Sequence, residues 1–197
     1  MIPQTEFSRY FSELASRGEG VARRLERGEV IQRNLGSFYQ VDDPDIVRVL
    51  GEIRPSSIPY AQVRSVLASN PAEIERLFST EGTQTPEGCF LNFSRIVEAR
   101  LGQCVEKSAL LQLAIQGSLE SYFIMGLLKE DGRPNFDAHA FNIATVNGQF
   151  HVIDAENPVT DGEGKEYPYA AFIVGIDEQS KEIVVPENAR FGRRYYF

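Results

Sequence analysis

Three residues in this chain have the types needed for thiol chemistry on an acyl group: Cys104, His139 and Asp154. Cys104 follows Gly102 and Gln103 and opens CVEKSALLQLAI, which reads as a helix apolar on nearly every side. A thiol that only fills space gains nothing from a helix start. A reactive thiol does gain, because the positive end of the helix dipole and an adjacent imidazolium both favour the thiolate, the nucleophilic form. A histidine held by a carboxylate has its tautomer and ring orientation fixed, and its other nitrogen is then free to take or give a proton. Nucleophile, base and orienting carboxylate together can open an amide through a covalent intermediate.

Whether His139 and Asp154 can meet follows from AHAFNIATVNGQFHVIDAE, the strongest hairpin signal in the chain. Asn147-Gly148 suits the positive φ angles of a two-residue type I′ turn. With those two residues as the loop, Val146 faces Gln149. Counting back along both strands sets His139 opposite Glu156 and makes Asp154 its diagonal neighbour on the same face, about 7–8 Å away at Cα. Side chains alternate across a strand, so His151 falls on the opposite face from Asp154. The hairpin therefore selects His139 over His151.

These residues also carry a resemblance. GQC opening an apolar helix, followed by DAHAFNIATVNGQFHVIDAENP, resembles the transglutaminase-like branch of the papain-like cysteine enzymes over about residues 99–158. That pattern has Gly-x-Cys at the start of a central helix, Asp-x-His-Ala-aromatic on a strand, and a hairpin return ending in Asp followed shortly by Pro. The resemblance implies Cys104 as nucleophile, His139 as general base and acid, and Asp154 as the residue that orients the imidazole. It implies a thioester formed on a carboxamide or peptide amide, with no metal or organic cofactor. Phe141 stands where the family usually has Trp, and the chain has no Trp. An oxyanion site then consists of the Cys104 backbone N–H plus a second donor, for which Gln103 and Asn92 are the candidates; a preorganised amide donor is worth about 3 kcal/mol at the transition state. Water as acyl acceptor makes the protein a peptidase, amidase or deamidase, and an amine makes it a transglutaminase or amide-forming acyltransferase. Hydrolysis is favoured, since one small domain offers little to exclude water. A binding module that keeps the fold without turnover is the reading from another class.

The remaining polar candidates have plainer explanations. Cys89, beside Phe90, reads as structural, and His151 as a packing or solvent-side histidine. Ser108 shares the face of Cys104 one helical turn on, too far along to be the nucleophile. Glu156 replaces Asp154 only if the register slips by two; otherwise it lies at the mouth of the cleft or pairs with an arginine. A zinc site from two Cys and two His lacks both Cys-x-x-Cys and His-Glu-x-x-His spacing.

The elements that must position these residues follow from periodicity. Residues 5–28 read as one broken or two short helices, and 43–52 and 59–78 repeat the helical signal, with Asn70 as an N-cap and Pro71 at the first helical position. STEGTQTPEG (79–88) reads as a loop, 104–116 as the central helix and LESYFIMGLL (119–128) as a strand. YAAFIVGID and KEIVVPE around EQS suggest a second hairpin. Helices first and antiparallel strands later indicate an α+β fold. The expected architecture is a papain-like or transglutaminase-like core over 89–197, its central helix packed on an antiparallel sheet, with an N-terminal helical region over 1–88 packed on it as one compact domain.

Length and composition bound the rest. The chain of 197 residues, 42 % apolar and 24 % charged, suits one soluble globular domain. A formal net charge of −8 argues against nucleic acid or an anionic membrane as the main partner. No run approaches the roughly 18 apolar residues of a membrane span, and MIPQTEFSRY lacks a signal-peptide pattern, so a cytoplasmic protein with two reduced cysteines is expected. The expected partner is a protein or peptide substrate, or a small amide.

Overall fold

A computed structural model describes residues 1–16, 30–31, 44–53, 58–85, 88–160, 163–167, 171–186 and 192–197. The helices among them are α1 (Phe7–Ser16), α2 (Pro44–Glu52), α3 (Tyr60–Val66), α4 (Pro71–Glu81), α5 (Phe93–Glu98) and α6 (Cys104–Ile115). The strands are β1 (Val30–Ile31), β2 (Thr83–Thr85), β3 (Gly88–Asn92), β4 (Ser121–Glu130), β5 (Asp137–Val146), β6 (Gln149–Ile153), β7 (Val159–Thr160), β8 (Glu166–Tyr167), β9 (Ala171–Phe172), β10 (Gly175–Ile176), β11 (Ile183–Val184) and β12 (Arg193–Tyr196). The fold is α+β, and the largest sheet is antiparallel in the order β12-β4-β5-β6-β9.

Each face of this sheet is covered. Helix α6 lies on one side, where Leu110 and Leu111 are fully buried among residues from α2 to α5 and with Ala140 and Ala144 of β5. On the other side, Phe7 and Phe11, four residues apart and so on one face of α1, bury against Ile143, Phe150 and Val152 together with Ile176 and Ile183. Phe11 meets Phe150 edge-on at 5.4 Å and Tyr122 at 5.6 Å. The expected division at 88/89 falls at the start of β3, which pairs with β1 on one side and β2 on the other.

Several local expectations meet the structure directly. The β5–β6 hairpin pairs Val146 with Gln149 and Asn142 with Ile153, and Asn147 and Gly148 have φ of 52° and 76° as the turn requires. Asn70 caps α4 by accepting the Glu73 N–H at 3.2 Å, with Pro71 at its first position. The helical signal over 59–78 is interrupted at 67–70, because Ala68 pairs with the chain ahead of α6: its N–H donates to the Arg100 carbonyl at 2.9 Å and its carbonyl accepts from Gly102 at 3.1 Å. The segment 79–88 is not a loop throughout: α4 runs to Glu81, and Thr83–Thr85 pairs with Gly88–Phe90. The β-branched threonines explain the strand. In the predicted second hairpin Gly175–Ile176 pairs with Ile183–Val184, while Ala171–Phe172 joins β6. Residues 17–28 of the first expected helical region lie outside the described residues. No described helix is long and apolar enough to cross a membrane.

A helix apolar all round can be buried in many rotations, so hydrophobic burial alone does not aim it. A buried polar seam does. Ser108 Oγ donates to the Ala140 carbonyl at 3.0 Å, Asn142 Nδ2 donates to the Ser108 carbonyl at 3.0 Å and to Gln112 Oε1 at 3.2 Å, and Gln112 Nε2 donates to the Ser121 carbonyl at 3.2 Å. Ser108 and Gln112 follow Cys104 at intervals of four, so the seam turns the Cys104 side of the helix towards β5. Asn142→Ala leaves Gln112 Oε1 buried without this donor. It should cost about 1–3 kcal/mol in urea unfolding, the usual penalty for a buried polar group that loses its partner.

Candidate active site

The thiol sits where the chain enters α6. The pairing of Ala68 with Gly102 fixes the residues just ahead of it, and Gly102 has no room to spare: a Cβ there would lie 3.0 Å from Glu106 Cβ and 3.1 Å from Leu67 Cδ1. Gln103 N–H donates to Glu106 Oε2 at 2.9 Å, so a carboxylate from the first turn closes back on the helix start. Cys104 is the first helical residue, and its N–H therefore has no acceptor within the helix. Partly exposed, it lines a cleft of about 160 Å³ with Gln103, Val105 and Glu106 on one side and Met125, Ala138, His139 and Ala140 on the other.

His139 is brought there by the end of a ladder. The backbone pairing of β5 with β6 stops at Asn142–Ile153, and the next link between the two chains is made by side chains: His139 Nε2 to Asp154 Oδ2 at 2.8 Å. Asp154, 1 % exposed in its side chain, is fully engaged. Oδ1 accepts the backbone N–H of Glu156 at 3.1 Å and of Asn157 at 2.9 Å, and Oδ2 also accepts the Tyr195 hydroxyl at 2.9 Å. With Nε2 committed to Asp154, Nδ1 is the ring nitrogen left for the Cys104 thiol, which lines the same cleft. Burial alone would disfavour the imidazolium, but the hydrogen bonds and charges of Asp154 and Cys104 outweigh it and push the His139 pKa up to about 10.

The structure thus brings Cys104, His139 and Asp154 together. Of the two oxyanion candidates, Gln103 lines the cleft and Asn92 does not: Asn92 ends β3, where its Oδ1 caps α5 by accepting from Ser94 N at 2.9 Å and Ser94 Oγ at 2.6 Å. Glu156 is not opposite His139, because the ladder has ended before it; it pairs with Lys107 at 2.6 Å and with Ser69, and among the described residues no arginine pairs with it. That ion pair ties the loop after β6 to the first turns of α6, and its buried lysine, 4 % exposed, would be costly without a partner. His151 is buried on the other face beside Phe172, its Nδ1 bonded to the Gln149 carbonyl, and burial lowers its pKa. Cys89 donates to the Phe78 carbonyl at 3.4 Å.

Tyr195, Glu106 and Lys107 were not singled out by sequence. Nothing local in RRYY, the run that forms β12, tells that its first tyrosine reaches a loop 41 residues earlier.

The raised His139 pKa has a stability consequence. An imidazolium favoured by folding adds stability that is fully present below the unfolded value near 6.5 and is lost as pH rises through about 10. The difference in melting temperature between the wild type and His139→Gln should therefore be widest below pH 6.5 and narrow steadily towards pH 10, measured by circular dichroism across that range. No protein-family model matches the chain, and no curated protein matches it in sequence.

Proposed function

We propose that the chain is a cysteine hydrolase or acyltransferase of the transglutaminase-like type, built on a papain-like core, that opens a carboxamide or peptide amide through a thioester on Cys104. The observation that carries this reading is the 2.8 Å bond between His139 Nε2 and Asp154 Oδ2, which commits one ring nitrogen and leaves the other to a thiol at a helix N-terminus in an open cleft. The papain-like core is supported by the packing of α6 across β4 and β5, with the histidine on the strand that the helix faces.

The steps follow from the placement. The Cys104 sulfur attacks the carbonyl carbon, a C–S bond forms, and the carbonyl electron pair moves onto oxygen. In this reading the Cys104 N–H, which has no acceptor within its helix, stabilises that oxyanion, with Gln103 as the second candidate donor. Collapse expels the amine, which takes its proton from His139. Water then attacks the thioester while His139 takes its proton, and the acid and the thiolate are released. The half-exposed position of Cys104 favours water as the acceptor; an amine in its place would give transamidation by the same route.

Limiting iodoacetamide at pH 6.5 tests the central pair. Cys104 should be modified on the order of tenfold faster than Cys89, and His139→Ala should remove most of that difference, as peptide mass mapping would show. Equal modification of the two thiols in the wild type overturns the reading. A positive result leads to the next assay, release of ammonia or amine from glutamine-containing peptides, which Cys104→Ala should abolish.

A further inference from the structure

Two side chains of β12 reach the loop that carries Asp154. Tyr195 is 5 % exposed, its ring lies edge-on to Phe141 at 5.1 Å and 6.4 Å from the His139 ring, and its hydroxyl donates to Asp154 Oδ2 at 2.9 Å. The same oxygen accepts from His139 Nε2 at 2.8 Å. Arg193, two residues earlier, donates from Nη1 to the Asn157 carbonyl at 3.0 Å, and its positive charge acts on the Tyr195 hydroxyl. A chain of contacts therefore runs from the last strand to the thiol: Arg193, Tyr195, Asp154, His139, Cys104.

We propose that Tyr195 is a positioning residue of this triad, whose hydroxyl, braced by Arg193, takes a share of the charge on Asp154 Oδ2 and so limits how tightly that oxygen holds the His139 imidazolium. Asp154 does not need Tyr195 to stay in place, because Oδ1 already has two backbone N–H donors. What the hydroxyl changes is the basicity of the shared oxygen: a donor that stabilises a carboxylate weakens its pull on a neighbouring cation. Burial, followed by the Asp154 charge, keeps the Tyr195 pKa well above its ordinary value, so the hydroxyl stays protonated and remains a donor throughout the working range.

The chemical purpose follows from the acyl-transfer reading, on which this part rests. His139 must both hold a proton beside the thiolate and give it to the leaving amine. A bare carboxylate would make it a strong base and a poor acid. The titratable and charged groups around it are Cys104 and Glu106 from α6, Asp154 from the loop after β6, and Tyr195 from β12, with Arg193 behind. Of these, Tyr195 is a neutral donor placed on the histidine-binding oxygen of Asp154.

The test uses the full chain labelled with ¹⁵N-histidine, which carries only two histidines, so His151 serves as an internal reference. In a Cys104→Ala background, which removes the thiolate, Tyr195→Phe keeps the ring and deletes only the hydroxyl. The NMR titration midpoint of His139 should rise by about half a pH unit or more while that of His151 stays fixed. An unchanged or lowered His139 midpoint overturns the proposal, and a loss of thermal stability without a rise in the midpoint assigns Tyr195 to packing alone. Should Tyr195→Phe fail to fold, Arg193→Gln, which removes the brace and a nearby positive charge, should move His139 the same way, and the same null result overturns the proposal. Failure of the acyl-transfer reading is seen separately, as a wild-type Cys104 no more reactive than Cys89, and leaves the His139 titration free to decide what Tyr195 does.

Discussion

The seam of hydrogen bonds between α6 and β5 is the constraint on which the site depends. Ten of the twelve residues of α6 are buried, and they include charged and polar ones as well as leucines. Burial of the apolar residues alone does not distinguish one rotation of the helix from another, and a rotation by one residue, about 100°, would carry Cys104 away from His139. Ser108, Gln112 and Asn142 make the rotations unequal. In any other rotation their polar atoms would be buried without partners, at about 1–3 kcal/mol each. Polar groups thus supply specificity inside a core whose apolar residues supply stability.

A second level of fixing acts on the loop after β6. Once the β5–β6 ladder ends, Asp154, Glu156 and Asn157 are held from three directions: by His139 on β5, by Lys107 and Ser69 on the α6 side, and by Tyr195 and Arg193 on β12. The carboxylate at the centre of this loop is buried, and its charge is tolerable only because its oxygens accept from two backbone N–H groups, an imidazole and a hydroxyl. The strand order β12-β4-β5-β6 is what lets residues from both ends of the second half of the chain converge on it.

Sequence pattern carried the helix start, the hairpin and its register, because each depends on neighbours along the chain: Gln103 before an apolar run, Asn147-Gly148 between alternating strands. It also carried the meeting of His139 with Asp154, since one turn sets both. The position of Cys104 beside them was suggested only by resemblance, because no local rule says how a helix packs on a sheet. Glu156 shows the limit of register arithmetic. Counting back past Asn142–Ile153 assumes that pairing continues, whereas the loop turns away to satisfy a buried lysine. Asn92 shows the ambiguity of a polar side chain near a helix start, which can cap that helix as readily as it can serve chemistry. Tyr195 was invisible because its partner is remote in sequence and nothing in its own surroundings, RRYY, points to it.

The choice between an enzyme and a scaffold on the same fold turns on what the buried charges are for. A module that only binds needs no carboxylate at 1 % exposure, no histidine at its oxygen and no thiol beside that histidine. Replacing such a group of ionisable side chains with apolar residues of similar volume is often neutral or stabilising. A full set of donors on Asp154 and a thiol at an open helix N-terminus are therefore more than the fold requires, whatever stability the His139–Asp154 pair adds at low pH. The arrangement has a purpose if the proton moves. Under the proposed acyl transfer, the imidazolium favoured beside Cys104 would stabilise the nucleophile before attack and would already carry the proton that the departing amine requires.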